Sequence, residues 1–517
     1  MNKCWHRFEK TLAHTDLEIS KTMNRKVAIK CLPTGVPGLD EILGGGLPEF
    51  SFNLVAGPPG SGKTTLAHQM MFALATPERP ALYFTVLGEP PLKMLRYQQL
   101  FDFFDSTAIN HAVRFVNLSE ETLKGGLEAV LKRIVAEVET SHPALVFVDS
   151  FRSLILVGKH ENGADASLQQ FVQQLGMLMT SWEATSFLIG EYFDDSGANP
   201  VFTVADGLIW LRQSVQRNSM VRKLEIMKMR GQATIPGLHT FRISSAGINV
   251  FAAAVGGSRD QADAVAADTR LSLGIPRLDE MLGGGLPTGY SVLVAGPSGS
   301  GKSILAAAFL AEGARRGERG VLAAFEQNPK RARGSEVVSL IDGGRIGVVE
   351  NHASDLSTDE ILWLLMQEIK RLGAKRVVID SLSGFELAVA PTFRDDFRES
   401  LSRMVTTLTG AGVTLLMTCE LEDRYGDLRF SPYGTAFMTD SIIVQRYIEV
   451  GSRLRRLMAV VKVRGSNHSH ELREYTIDET GIVIGDMLPN EEGLLGGRPT
   501  KKRSADLRDR DSGSDGA

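Results

Sequence analysis

The chain is written twice. The stretch TGVPGLDEILGGGLPEF at 34–50 returns as LGIPRLDEMLGGGLPTG at 273–289, and AGPPGSGKTT at 56–65 returns as AGPSGSGKSI at 295–304. Both pairs are displaced by the same 239 residues, measured from Pro37 to Pro276 and from Lys63 to Lys302. Two later landmarks follow in order: LVFVDS (145–150) with RVVIDS (376–381), and IMKMRG (226–231) with VVKVRG (460–465). One glycine-rich match arises by chance; four in order mean duplication, so the chain should fold as two like domains, each with its own core. The repeat puts the first domain at 26–252 and the second at 269–487. Residues 253–268, small, polar and aperiodic, read as a linker. Residues 1–25 form an N-terminal extension expected to be flexible. The tail, 488–517, mixes both charges without apolar anchors and is expected to be disordered.

Within each half, strands alternate with helices. SFNLVAG (51–57) and YSVLVAG (290–296) are apolar, β-rich runs, and the stretches after Lys63 and Lys302 read as helices. LEAVLKRIVAEVE (127–139) and TDEILWLLMQEIKRLG (358–373) carry apolar residues at three- and four-residue spacing, as helices with one core face do. ALVFVDS, RVVIDS, SFLIGEY (186–192) and TLLMTCE (414–420) are continuous apolar strands. The fold class predicted is α/β, a mostly parallel sheet flanked by helices in each half. Toward the end of each half the helices stop, and ADGLIWLRQS, RKLEIMKMR and HTFRISSAGINVF read as a C-terminal antiparallel extension.

Composition excludes several classes. The chain is 43% apolar and 23% charged, and nothing in it approaches the roughly 18 consecutive apolar residues of a membrane span. MNKCWHRFEK has no apolar core to make a signal peptide. Cys4, Cys31 and Cys419 show no metal-like spacing and read as thiols in a reducing compartment, so a cytoplasmic location is expected. A formal net charge of −4 does not favour nucleic acid or anionic membrane as a partner.

The chemistry lies in the repeated loop. Gly57-x-x-x-x-Gly62-Lys63-Thr64 and Gly296-x-x-x-x-Gly301-Lys302-Ser303 fit the phosphate-binding pattern GxxxxGK[ST], each between a strand and a helix. Glycines let successive N–H groups converge, and the helix that follows adds its positive end. The candidate cradle residues are Gly57, Gly60, Ser61, Gly62, Lys63, Thr64 and Thr65, with Gly296, Gly299, Ser300, Gly301, Lys302, Ser303 and Ile304. ATP and Mg²⁺ are the expected ligands, with Lys63 and Lys302 on the phosphates and Thr64 and Ser303 on the metal. Asp149 and Asp380, each ending a buried strand before serine, are the expected carboxylates on the metal's water shell.

Hydrolysis needs a base at the end of the strand after the loop helix. In the second half GVLAAFEQNP supplies Glu326. In the first half Leu87 and Gly88 occupy the matching places and the carboxylate arrives late, as Glu89. The two sites are therefore expected to be unequal, the first hydrolysing poorly. A late Lys-x-Arg recurs as Lys228/Arg230 and Lys462/Arg464 on predicted strands, where a period of two turns both cations to one side. Presented to a neighbour's triphosphate, they would act as fingers in trans.

LDEILGGGLP, the phosphate loops, the VDS strand end and KxRG together resemble the RecA-like ATPases, and within them the KaiC family, over residues 30–487. The resemblance implies two tandem RecA-like P-loop domains and a homohexamer with ATP at its subunit interfaces. It also implies hydrolysis in the first half, with autophosphorylation and dephosphorylation in the second. The family shows a glutamate pair after the second strand of each half; here the places hold Leu87-Gly88 and Glu326-Gln327. The family's base in the second half falls on Gln327, which takes no proton, so Glu326 would substitute. Counting back from Thr439-Asp440-Ser441, the family's adjacent phosphoacceptor places hold Ala436 and Phe437, neither with a hydroxyl. A two-site phosphorylation cycle is therefore expected to be absent, with room only for residual Ser/Thr autokinase activity at Thr435 or Ser431.

The function expected is a KaiC-like ATP-binding and ATP-hydrolysing hexamer that signals through unidentified regulatory proteins, with the tail as one contact. The alternatives are a RecA-class DNA-handling ATPase and a nucleotide-dependent scaffold with little catalysis. His468 and His470 also raise a metal pair, but a place near a phosphate, or merely in a turn, is the preferred reading.

Overall fold

The computed structural model describes residues 29–86, 91–151, 164–193, 200–216, 219–252, 269–325, 335–350, 356–389, 391–394, 396–421, 437–450, 452–487, 491–492 and 500–501. The expected N-terminal extension 1–25, the linker 253–268 and all of the tail but its few described residues lie outside these. The chain divides into two compact units, Met1–Ala253 and Ala254–Ala517.

In the first unit β1 (Cys31–Leu32) pairs antiparallel with β2 (Leu47–Pro48). The main sheet takes β3 (Phe52–Gly57), β4 (Ala81–Thr85), β5 (Val113–Asn117), β6 (Leu145–Asp149), β7 (Thr185–Glu191), β8 (Gly207–Gln216), β9 (Ser219–Met229), β10 (His239–Ser244) and β11 (Gly247–Phe251). Their spatial order is β11-β10-β9-β8-β3-β7-β6-β4-β5. Neighbours from β5 across to β8 are parallel, and β8 to β11 run antiparallel.

The second unit repeats the design. β12 (Arg270–Leu271) pairs with β13 (Leu286–Pro287). Its sheet holds β14 (Ser291–Gly296), β15 (Gly320–Ala324), β16 (Ile346–Glu350), β17 (Arg376–Asp380), β18 (Thr414–Glu420), β19 (Ser441–Val450), β20 (Arg453–Val463), β21 (Arg473–Asp478) and β22 (Gly481–Met487). The order is β16-β15-β17-β18-β14-β19-β20-β21-β22.

The strands read as unbroken apolar runs because both faces are covered. On β3, Leu54 and Ala56 face one core with Val146, Val148 and Leu188, while Val55 faces a second with Leu66, Met70 and Ile209. On β14, Leu293 and Ala295 divide from Val292 and Val294 in the same way. The helix Thr358–Leu372 shows how local signals set its limits. The Ser357 side chain accepts from the Glu360 N–H, Asp359 and Glu360 sit in the first turn, Lys370 and Arg371 in the last, and Gly373 closes it at φ 63.

The antiparallel extensions carry one irregularity in common. Register slips between Leu208 and Ile209 against β9, and between Ile442 and Ile443 against β20. The sequence expectation of an uninterrupted strand through Lys-x-Arg is corrected here: β9 ends at Met229 and β20 at Val463, so Arg230 and Arg464 stand one residue past the strand ends. Beyond β22, Glu491–Glu492 pairs with Thr500–Lys501.

Candidate functional site

Each phosphate loop leaves the C-terminal end of a strand in the middle of its sheet, β3 or β14, and turns into a helix, Lys63–Leu74 or Lys302–Arg315. Gly60 and Gly62 take φ values of 74 and 101, and Gly299 and Gly301 take 75 and 99. These are left-handed conformations that side chains resist. A Cβ on Gly57 would lie 2.3 Å from the Leu211 carbonyl oxygen. No side chain caps either helix start, so the first N–H groups point open toward an anion. Thr65 is half-buried, while Ser303 and Ile304 lie on the exposed rim.

The two lysines fold back onto their own loops. Lys63 Nζ donates to the Pro58 carbonyl at 2.8 Å, and Lys302 Nζ to the Gly296 and Pro297 carbonyls at 2.9 and 2.8 Å. Burial lowers the Lys63 amine's pKa, against the pull of Glu191 and Asp149. Glu191, at the end of β7, pairs in register with Gly57.

Ser61 and Ser300 are fully buried within the loops. Ser300 Oγ donates to Gln445 Oε1 at 3.0 Å, and the Tyr475 hydroxyl donates to the Ser300 carbonyl at 2.6 Å.

At the end of β6, Asp149 Oδ2 accepts from Thr64 Oγ1 at 2.8 Å and from the Tyr83 hydroxyl at 2.8 Å. Burial raises its pKa, and these two hydroxyl bonds pull the other way. In the second unit Asp380, on β17, is buried and Thr418 on β18 donates to its Oδ1. The Thr64–Asp149 pair is a set of hard oxygen donors beside an anion cradle, which fits Mg²⁺. Among the described residues no group of three or more His, Cys, Asp and Glu makes a further metal cluster. His468 and His470 lie ring to ring at 4.8 Å.

The chain leaves β4 and β15 beside these aspartates. Val86 N–H donates to the Asp149 carbonyl at 2.8 Å and Phe325 N–H to the Asp380 carbonyl at 3.1 Å. The next residues, Leu87, Gly88 and Glu89 in one unit and Glu326 and Gln327 in the other, lie outside the described residues, as do Ser431, Thr435 and Ala436.

The Lys-x-Arg cations sit elsewhere. Lys228 Nζ donates to the carbonyls of Phe202, Thr203 and Ala205, and Arg230 pairs with Asp206 at 3.0 Å. Lys462 Nζ donates to the Thr439 carbonyl at 2.6 Å, and Arg464 pairs with Asp440 at 3.3 Å. Asp206 in turn accepts from the N–H of Phe52, the first residue of β3. The cations therefore stand at the opposite end of the sheet from their own phosphate loop, which begins at Gly57. Six residues of parallel strand span about 20 Å, so they cannot reach a triphosphate held there.

The profile of the KaiC ATPase family matches residues 32–255 and 271–488. The chain belongs to the KaiC ATPase family. It is 27% identical over 491 residues to the circadian clock oscillator protein KaiC of Picosynechococcus sp., covering 92% of this chain and 93% of that protein. The protein of the same name from Rippkaea orientalis is 27% identical over 495 residues, 93% of this chain and 94% of its own length. That of Synechococcus elongatus is 26% identical over 488 residues, 92% of each. The two-domain RecA-like architecture and the likeness to KaiC were legible in the motifs. Four neighbours of these groups were not: Tyr83, Glu191, Thr418 and Gln445 lie in or at the end of apolar strand runs, and only sheet register brings them to the loops or to the two aspartates. No helix among the described residues is long and apolar enough to cross a membrane.

Proposed function

We propose that both cradles bind Mg²⁺–ATP and that the chain hydrolyses it as a homohexamer, each site being completed by Lys228/Arg230 or Lys462/Arg464 of a neighbouring copy. The observation that carries this reading is the placement of those cations at the far end of the sheet from their own loop, held out on backbone carbonyls and one carboxylate. A group so placed serves another copy's nucleotide or none. On this reading Lys63 and Lys302 leave the loop carbonyls for the phosphates, and Thr64 and Ser303 hold Mg²⁺ with Asp149 and Asp380 behind its water shell. Mg²⁺ supplies charge neutralisation of the triphosphate. Glu326 orients and deprotonates the attacking water in the second site, and Glu89 serves the first poorly.

The test is mixing. Lys302→Ala and Arg464→Ala proteins, each with little second-site turnover, should regain activity when co-assembled, because an intact loop then meets an intact finger. Absence of recovery in mixtures shown by native mass to contain both chains defeats the trans assignment.

Signalling through regulatory proteins is the role we infer for the hexamer. A two-site phosphorylation cycle is not part of it. Phe437, 55% exposed, stacks under Arg398 at 4.8 Å and offers a ring where the family has a hydroxyl. ATP-dependent phosphate at high occupancy on 431–441 would contradict this.

A further inference from the structure

The two sites hold their metal-side carboxylate by different means, and in the first the holder is a tyrosine. Tyr83 sits in the middle of β4, fully buried, with its hydroxyl 2.8 Å from Asp149 Oδ2. Its ring is clamped by Phe147 at 5.8 Å, Phe115 at 5.4 Å and His68 at 4.7 Å between centroids. His68 belongs to the phosphate-loop helix and is fully buried, with the Gln98 side chain as a polar neighbour and no hydrogen bond of good geometry to either ring nitrogen among the described residues. It therefore acts on Tyr83 as a packed wall.

The second unit has none of these parts. The 239-residue offset carries Tyr83 to Leu322 and His68 to Ala307. Sheet register agrees, since Tyr83 pairs with Phe147 on β6 as Leu322 pairs with Val378 on β17. There Thr418, from the strand on the other side, donates to Asp380 instead.

We propose that Tyr83 is a positioning residue for the first site's metal: it fixes the Asp149 carboxylate, with Thr64, in the orientation that receives the water shell of nucleotide-bound Mg²⁺. A buried carboxylate stays ionised and oriented only while donors hold it. Two hydroxyls converge on Oδ2, so Oδ1 is the oxygen that would face the metal's waters. The clamp of three rings fixes where the Tyr83 hydroxyl points. The inference rests on reading the first loop as a Mg²⁺–nucleotide site.

The test uses the full chain carrying Lys302→Ala, so that binding of a fluorescent ATP analogue reports the first loop. Nucleotide affinity is measured in EDTA and across a Mg²⁺ titration, with and without Tyr83→Phe. That substitution removes one oxygen and keeps the ring, and circular dichroism checks the fold. The expected result is a rise of about three- to tenfold in the Mg²⁺ concentration giving half of the affinity gain, the scale of one hydrogen bond's net contribution. Affinity in EDTA should stay within about twofold of the parent. In a Lys63→Ala background, which leaves the second loop to report, Tyr83→Phe should change nothing.

An unmoved Mg²⁺ titration overturns the inference, as does an equal loss with and without Mg²⁺, which would make Tyr83 a packing residue only. Absence of any nucleotide binding by the Lys302→Ala protein would instead bring down the reading of the first loop itself.

Discussion

At the scale of single residues, burial is the term that sets the chemistry. His68 is enclosed by rings, and loss of solvent pushes its pKa down to about 4. The unfolded chain would take up the proton near 6.5. A depressed folded-state pKa gives stability that is present in full above the unfolded value and lost as pH falls from about 6.5 to about 4. The shift corresponds to about 3 kcal/mol. His68→Leu keeps the ring wall apolar and removes the titration. Its urea midpoint should therefore fall less between pH 7 and pH 4.5 than that of the parent; equal falls would show that His68 does not titrate on unfolding. On the proposed reading Glu326 is the base of the second site. Glu326→Gln keeps the shape and removes the base, so single-turnover hydrolysis at the second site should slow by about 10²-fold or more. An unchanged rate would move the base elsewhere.

At the scale of elements, the strand–loop–helix junction is the tightest part of each unit. Gly60 and Gly57 carry the same residue type for different reasons. A Cβ on Gly60 meets only Gln213 Oε1, at 4.0 Å, so alanine there costs the strain of φ 74 and little else. That strain is about 1–2 kcal/mol. A Cβ on Gly57 runs into the Leu211 carbonyl oxygen of β8, backbone that the sheet holds in place. Gly57→Ala should therefore lower the melting temperature clearly more than Gly60→Ala, whose effect should be a few degrees at about 2–4 °C per kcal/mol. Equal shifts would mean that β8 can move away from the loop. The cap of Thr358–Leu372 is a gentler instance of local control, because Ser357 supplies one hydrogen bond to a helix already held by its apolar face.

At the scale of the molecule, two copies of one design have drifted apart in their interiors. The second loop is braced from its own antiparallel extension through Gln445 and Tyr475; the position matching Gln445 in the first unit holds Leu211, and Ser61 Oγ there is buried with no partner among the described residues. Both units keep Lys-x-Arg, its lysine half-buried and its arginine exposed, at the end remote from the loop. Assembly should therefore depend on nucleotide. Native mass in Mg²⁺–ATP should show six chains of 56.3 kDa, and the assembly should weaken when ATP is withdrawn. A chain that stays monomeric at saturating Mg²⁺–ATP would remove the neighbour that the fingers require.

The sequence carried the plan: two domains, the position of each loop, the aspartates at the strand ends and the alternation of strand and helix. These are local signals, carried by glycine spacing and by apolar runs whose period reflects burial. What only the tertiary structure decided was company. Tyr83 reads in sequence as one more apolar strand residue, and its hydroxyl acquires meaning only because β4 lies beside β6 in a register that brings it to Asp149. Lys228 and Arg230 read as charges on a strand, and only the register of β3, β8 and β9 sets them remote from Gly57. Hydrogen bonds between parallel strands join residues far apart in the chain, and no short-range pattern encodes which side chains meet there.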